Sequence, residues 1–493
     1  MKNLSRFYGR TGCQIFVDRF WSSKTKEQMD GRILRDWNDS SVIWKPFPDG
    51  MYRNIDFYGG DLQGIIEKLD YMEELGINLI YLSPISRTVS NHHYDVQDQR
   101  VIDPYIGTPS DFEEMCKKAH ARDILIIVDL VFNHVGIESE FFKKARNGES
   151  FYKEWFFIDE NGNYKFWNVF RDMPLCNQLN KSYQEYAKSV VEFYIQLGAD
   201  GFRLDLGEIL EGSFVDVIRE HAEKINPEIM IVNERWNFAM SDEGRYWDTA
   251  DTVMNYPQCD ATLRWIRYGN YLHFDYTMGR IDKYPSSVKC LLWNMLDSQD
   301  TPRALTMLGA EGMTEDPIHG DSLWKLETPW ENNGRFDTFA FREWEFMHEN
   351  SHEQQDIERL ILSSIIQYML VGIPVTFYGT EVGVRGYKDP FNRKNYPWND
   401  RNQMLFEHYK KLGEIRKKYR KIFSTANEKR TGTSNFMKIE RWSDGGERIV
   451  AFINRSDTPM PIDITVFGNI LYSFGQYDQN NVHGNSAIIC KVK

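Results

Sequence analysis

Three features of this chain predict an α/β fold built on a (β/α)8 TIM barrel, with an inserted domain after the third strand and a C-terminal antiparallel β-sandwich domain. Short apolar runs alternate with amphipathic helical patterns. Eight runs of strand character can be counted, and several end in a carboxylate. Beyond residue 424 the apolar periodicity changes to two. Repeated strand–helix units imply parallel strands joined by right-handed crossovers. Eight of them suggest a closed barrel, whose site lies at the strand C-termini.

The predicted strands are Cys13–Val17, Asn78–Leu82, Ile124–Leu130, Gly201–Leu206, Ile229–Asn233, Thr252–Met254, Lys289–Leu296 and Pro374–Tyr378. They are short and mostly apolar, as strands buried on both faces are. Between the first two, Leu62, Ile65, Ile66, Leu69 and Met72 fall on one helical face. Asp111–His120 reads as a helix begun at Pro109-Ser110. From Val135 to about Lys181 the chain is polar, aromatic and turn-rich, with Asn161-Gly162-Asn163 as its clearest turn. A connection of that length inside a compact domain is usually functional or a small unit of its own. The last strong helix runs from Leu405 to Phe423, with Leu405, Tyr409, Leu412, Ile415 and Tyr419 on its apolar face. Its Lys/Arg run over Lys410–Lys421 reads as a solvated face. Phe436–Arg441, Arg448–Asn454 and Met460–Val466 then alternate as antiparallel strands do. The expected organisation is a barrel from 1–134 and 182–424, an insertion at 135–181 and a β unit at 425–493.

A net charge of −13 argues against nucleic acid and anionic membranes as partners. No apolar run reaches the ~18 residues of a membrane span. Six scattered cysteines, Cys13, Cys116, Cys176, Cys259, Cys290 and Cys490, form neither a disulfide framework nor a zinc pattern. With no leader visible at the start, a reducing compartment, the cytoplasm, is expected. Aromatic residues make up 14% of the chain, enough to supply stacking platforms as well as cores. Trp44, Phe166, Trp167, Trp236 and Trp398 are candidate platforms.

Three acids carry the chemistry. Asp205 ends GFRLD, two residues after Arg203, so both side chains point to one face of the strand. A guanidinium at that distance is expected to keep Asp205 ionised, as a nucleophile requires. Glu234 ends the run Ile229–Asn233 and precedes Arg235-Trp236, where burial and a neighbouring acid would raise its pKa and suit a general acid. Asp300 lies in DSQDTPR. Each has a plainer use, as a structural Arg–Asp pair, a loop cap and a helix N-cap. Two carboxylates with a third beside them match retaining glycoside chemistry. Metal-assisted hydrolysis is the competing use, but the histidines lack metal-ligand spacing, with His92, His93 and His134 alone near strand ends. Asp18-Arg19-Phe20 is a candidate start of a calcium loop, without regular Asp/Asn spacing after it.

DLVFNH (Asp129–His134), GFRLD (Gly201–Asp205), the glutamate of IVNERW and the last aspartate of LDSQD resemble, in order, the four signature regions of the α-amylase superfamily. SNHHYDVQDQRVIDPYIGT, VMNYP and GIPVTFYGTE agree with it, and DFYGGDLQGIIEKLDYMEELGINLIYLSPI, KDPFNRKNYPW and MPLCNQLN are similar to its neopullulanase and cyclomaltodextrinase branch. The resemblance covers residues 12–400. It implies Asp205 as nucleophile, Glu234 as acid and then base, and Asp300 as the group that holds sugar hydroxyls and favours the distorted ring. It implies Arg203 beside Asp205, with Tyr94, His92, His134, Gln299 and Arg303 binding substrate and Asp129 and Asn133 in support. The insertion would be the family's B domain.

Four departures stand out. Gln299 takes the place of the family's histidine, Glu208 and Ile209 stand where many members carry Lys and His, and Asn233 replaces a small residue. The N-terminal β-sandwich of many relatives is not expected here. The reading is cleavage of α-1,4-glucosidic bonds in maltooligosaccharides, cyclodextrins or starch-type glucans. A transglycosylase using the same intermediate and a non-catalytic glucan-binding protein are the alternatives. No cofactor is expected to be required, and calcium is left as an option.

Overall fold

The structure, a computed structural model, describes residues 2–29, 31–48, 53–241, 244–245, 249–309, 342–343, 345–347, 357–462 and 467–492. Eight parallel strands form its centre: β1 (Gly12–Ile15), β2 (Leu79–Leu82), β3 (Leu125–Leu130), β4 (Gly201–Leu204), β5 (Met230–Asn233), β6 (Thr252–Val253), β7 (Trp293–Asn294) and β8 (Ile373–Phe377). Their order is β6-β5-β4-β3-β2-β1-β8-β7, and a single parallel bridge, Met254 to Trp293, joins the two ends into a ring. The main-chain N–H of Asn255 reinforces that seam by donating to Trp293 O at 2.9 Å. The strands are continuous apolar runs because both faces are covered, by helices outside and by stacked side chains within.

Local signals explain where the elements begin and end. The helix Pro109–His120 starts at a capping box, in which the Thr108 hydroxyl accepts from Asp111 N–H and the Asp111 carboxylate accepts from Thr108 N–H. The predicted helical face at 62–72 is split into Leu62–Glu67 and Leu69–Glu74. Lys68 sits at the break, and its ammonium lies 4.1 Å from the ring centres of both Trp21 and Trp398. Those rings come from the loops after β1 and β8, which no local pattern links. The seventh strand is shorter than predicted. Only Trp293–Asn294 is extended, and Ser286–Lys289 is a helical turn.

The Lys/Arg run on the last helix is not wholly solvated. Arg416, in Gln403–Lys418, is buried and donates to the carbonyls of Tyr368 at 2.6 Å, Gly372 at 2.9 Å and Arg10 at 3.1 Å. Carbonyls at strand ends and helix C-termini need donors, and a buried guanidinium supplies several in one plane. Arg441 does the same for the C-terminal sheet, reaching Met369 O at 3.1 Å and Thr425 O at 2.7 Å.

That sheet is antiparallel, in the order β9 (Glu428–Gly432), β10 (Phe436–Trp442), β11 (Arg448–Asn454), β13 (Ser486–Val492) and β12 (Phe467–Phe474). β10 and β11 lie where the period-two pattern predicts them. β9, β12 and β13 were not predicted. Of the expected strand Met460–Val466, only Met460–Pro461 is extended, and 463–466 lie outside the described residues.

The stretch after β3 folds back over the top of the barrel. Val135 N–H donates to Pro174 O at 3.2 Å and Ile137 N–H to Asp172 O at 2.8 Å. Within it, Phe166–Trp167 pairs with Phe170–Pro174. Asp159 closes the Asn161-Gly162-Asn163 turn by accepting from the N–H groups of Asn161 and Asn163. All six cysteines are buried free thiols.

One close backbone approach fixes the last helix against the barrel. A Cβ on Gly413 would lie 1.9 Å from the carbonyl oxygen of Leu75. Gly413→Ala is therefore expected to destabilise the protein by about 1–3 kcal/mol through overpacking, read as a lower thermal-unfolding midpoint. An unchanged midpoint would show that the two segments separate freely.

Candidate active site

Arg203 is the centre of the site. It lies on β4 with no exposed surface. The β3–β4 register sets it opposite Asp129, and the β4–β5 register opposite Val232. Its Nη1 donates to both oxygens of Asp129 at 2.8 and 2.9 Å and to Asp205 Oδ1 at 2.8 Å. Its Nη2 lies 2.9 Å from Glu234 Oε2. Three carboxylates from three adjacent strands thus share one guanidinium.

The turn after β4 completes the arrangement. Leu206 adopts a left-handed conformation, φ 51°, which a side chain such as leucine rarely takes. Its N–H donates to Glu234 Oε2 at 2.7 Å. Strain of this kind is held only where the surroundings over-determine it. Trp236 donates its indole N–H to the other oxygen, Oε1, at 3.0 Å. Its ring stacks on Tyr256 at 4.1 Å and 6°. The Tyr256 hydroxyl lies 3.2 Å from Ser298 Oγ, which accepts from Asp300 N–H at 3.2 Å. Glu234 and Asp300 are therefore tied together through three intervening side chains.

Asp300 is the most open of the acids, with 27% of its side chain exposed, and Arg393 Nη2 donates to it at 3.4 Å. Arg393 also donates to Gln299 O at 3.0 Å and pairs with Asp389 at 3.1 Å.

Burial governs the protonation of this group. It pushes Asp205 well above the ordinary carboxylate range, against Arg203 and reinforced by Glu234 and Asp129. Arg203 does not by itself keep Asp205 ionised, because one positive charge is divided among three buried acids. Asp300 is pushed up to about 7, first by burial and then by Glu234. Asp129 is raised by burial against Arg203 and the hydroxyls of Tyr81 and Tyr94, which donate to Oδ2 at 2.6 and 3.0 Å. Groups this close titrate together, and burial favours the protonated forms of Asp129, Asp205 and Asp300.

The remaining predicted residues fall into two groups. Tyr94 and His92 stand together, the rings 5.9 Å apart, and the His92 ring nitrogen Nδ1 accepts from Tyr94 N–H at 3.0 Å. His134 is buried, parallel to Trp167, and its Nε2 has no partner among the described residues. Asn133 Nδ2 is 3.3 Å from His134 Nδ1. Burial lowers His92 to about 3 and His134 to about 4, so both are neutral at pH 7. Gln299 faces inward instead. Its amide donates to the Tyr94 hydroxyl at 2.8 Å and accepts from Gln14 of β1. Arg303, expected at the substrate, is wholly buried. It donates to Asn392 O at 2.7 Å and Tyr378 O at 2.5 Å, because the loop after β8 leaves those carbonyls without other donors.

Sequence reasoning missed Gln14, Tyr81 and Arg393. An uncharged polar residue inside a strand otherwise apolar was the available signal for Gln14. Of the candidate platforms, Trp44 is covered by Phe346 at 4.6 Å, and Trp398 packs on Tyr396 at 4.2 Å with its N–H on Phe20 O. Phe166, Trp167 and Trp236 are half-exposed.

Two departures are matched by a neighbour. Asn233 is buried, with neither amide atom hydrogen-bonded among the described residues. It fits because residue 207 is glycine, whose Cβ would lie 2.8 Å from Asn233 Cβ and Cγ. Glu208 receives Arg235 Nη1 at 3.1 Å, which joins the loops that follow β4 and β5. Asp18 is occupied by Arg19 Nε at 2.8 Å and by the N–H groups of Tyr58 and Gly59. No group of three or more His, Cys, Asp or Glu is placed to hold a metal among the described residues. No helix among them is long and apolar enough to cross a membrane.

Known proteins agree with this architecture. The family model described as the α-amylase catalytic domain matches residues 14–320. A cyclomaltodextrinase of Geobacillus thermopakistaniensis is 31% identical over 480 residues, covering 91% of this chain and 70% of that protein. Neopullulanase 2 of Thermoactinomyces vulgaris is 31% identical over 420 residues, and the match covers 77% of this chain but 63% of that protein. The solved cyclic α-maltosyl-(1→6)-maltose hydrolase of Arthrobacter globiformis shares the fold, with a TM-score of 0.79 at 23% identity over 99% of this chain and 100% of that chain.

Two measurements test the packing and electrostatics of the site. Gly207→Ala should destabilise by about 1–3 kcal/mol, whereas Gly207→Ala with Asn233→Ala should recover most of it. Strictly additive effects in that double-mutant cycle would show that the two residues do not compete for space. Asp300 holds its proton in the folded protein up to about pH 7, but the unfolded chain releases it near 4. Folding stability must therefore fall as pH rises through that window. Asp300→Asn should make the fall shallower and leave the protein at least as stable as the parent at pH 8. A steeper fall in the variant's unfolding midpoint would contradict the assignment.

Proposed function

Because this chain belongs to the α-amylase family of glycoside hydrolases, we propose that it cleaves α-1,4-glucosidic bonds of maltooligosaccharides and cyclodextrins with retention of configuration. The observation that carries this reading is the single guanidinium of Arg203 against both Asp205 and Glu234. It supports a short separation of the two carboxyl groups, and about 5–5.5 Å is what a covalent intermediate requires.

Asp205 attacks the anomeric carbon while Glu234 protonates the departing glycosidic oxygen. Water then enters, Glu234 takes its proton, and the water oxygen bonds to the anomeric carbon as the bond to Asp205 breaks. Leu206 N–H and the Trp236 indole N–H fix the position of the Glu234 carboxyl for the proton transfer, and Arg203 stabilises Asp205 as it becomes a leaving group. Asp300, the most exposed acid, accepts hydrogen bonds from hydroxyls of the bound ring. Neutral His92 and His134 add donors without adding charge. Arg303 and Gln299 support the site from below and have no contact with sugar in this reading. The cyclomaltodextrinase and neopullulanase relatives support the choice of substrates.

Asp205→Asn is expected to lower kcat on maltotriose by at least about three orders of magnitude with little change in fold. Proton NMR of the first product should show the α-anomer before mutarotation. Wild-type-like turnover in the variant, or an initial β-anomer, would sink the proposal.

A further inference from the structure

The hairpin Phe166–Pro174 carries two rings, Trp167 and Phe170, that the chemistry above does not use, laddered onto His134. His134, just beyond β3, lies parallel to Trp167, with ring centres 5.7 Å apart at 20°. Trp167 in turn lies parallel to Phe170 at 5.2 Å and 12°. Trp167 and Phe170 face each other across the hairpin, joined by Asn168-Val169, with Asn168 in the left-handed region at φ 50°. Exposure rises along the ladder. His134 is buried beside Tyr94, Trp167 is half-buried, and Phe170 is 41% exposed with Val169 at the tip 66% exposed.

Such a gradient is unusual for packing alone. A core stack closes at both ends, whereas this one starts in the wall of the site and ends in solvent. Large apolar groups left open beside a functional cleft are characteristic of ligand surfaces. The stack and the tight turn hold Trp167 and Phe170 in place, so little conformational freedom is lost when something binds. The apolar faces of pyranose rings match flat aromatic surfaces, while their hydroxyls stay in water. The ladder meets the site through His134, which packs on the Tyr94 backbone, and the Tyr94 hydroxyl donates to Asp129 at 3.0 Å.

We propose that the open face of Phe170, backed by Trp167, forms a binding subsite for a glucose unit of an α-glucan chain beyond the bond being cleaved. This rests on the glycosidase reading and adds a chain-length preference to it. The test compares Phe170→Ala and Phe170→Tyr with the parent on maltotriose, maltopentaose and maltoheptaose. Phe170→Ala should lower kcat/KM for maltoheptaose by roughly five- to tenfold, mainly through KM, the scale of losing part of one aromatic contact. The loss should shrink as the chain shortens, and Phe170→Tyr should restore it. Trp167→Ala should add a fall in kcat at every length, because it also releases His134. Equal losses at all lengths in Phe170→Ala, or no loss on maltoheptaose, would overturn the subsite while leaving the glycosidase reading intact. A parent protein inactive on all three sugars would overturn the reading itself, and the subsite with it.

Discussion

Everything at the mouth of this barrel depends on one fully buried positive charge. Arg203 meets Asp129, Asp205 and Glu234 at 2.8–2.9 Å, and those acids come from strands β3, β4 and β5 or the residues just past them. A charge without partners at that depth would cost several kcal/mol, so the strands must arrive in one register or not at all. The pairing of Arg203 with Asp129 across the ladder meets that demand. It also explains why acids can end apolar strands, since each has the same cation within reach.

The arrangement is compensated, not relaxed. One guanidinium cannot neutralise three buried carboxylates, so Asp205 and Asp129 are pushed toward protonation, and Asp300 follows beside them. Leu206 holds a left-handed backbone in the turn whose N–H donates to Glu234. Functional sites commonly carry such costs, and the surrounding fold must hold them in place. Here the holding contacts come from far away in the chain. Gln14 and Gln299, 285 residues apart, meet beneath Tyr94, which donates in turn to Asp129.

The departures from the family pattern follow the same rule. Gln299 takes an inward role in that network. Asn233 is accommodated by the missing side chain of Gly207. Glu208 finds Arg235 on the neighbouring loop. Gln299, Asn233 and Glu208 each have a matching neighbour on another element, whereas Ile209 is exposed. The hairpin Phe166–Pro174 carries its ring ladder from the buried His134 out to solvent.

Much of this was legible in the chain itself. Apolar runs with helical spacing between them located all eight barrel strands, because a strand buried on both faces has few alternatives to a run of Val, Ile and Leu. Asp205, Glu234 and Asp300 were visible as costly residues in sequence motifs that fall in a fixed order. The sheet strands Glu428–Gly432 and Phe467–Phe474 were not, since half-exposed strands dilute the period-two signal, and Ser486–Val492 was not because it is buried along most of its length and shows no alternation. Nor could local pattern show that Arg303 and Arg416 point inward to carbonyls, or that Lys68 breaks a helix between two tryptophans from distant loops. Periodicity and motif report on a residue and its near neighbours, so the sequence by itself determined the barrel, the acids and the class of chemistry. Which acid shares which partner, which protons are held, and which aromatic rings stay open depend on pairings across tens to hundreds of residues. Only closure of the barrel, which brings those strand ends to one face, decided them.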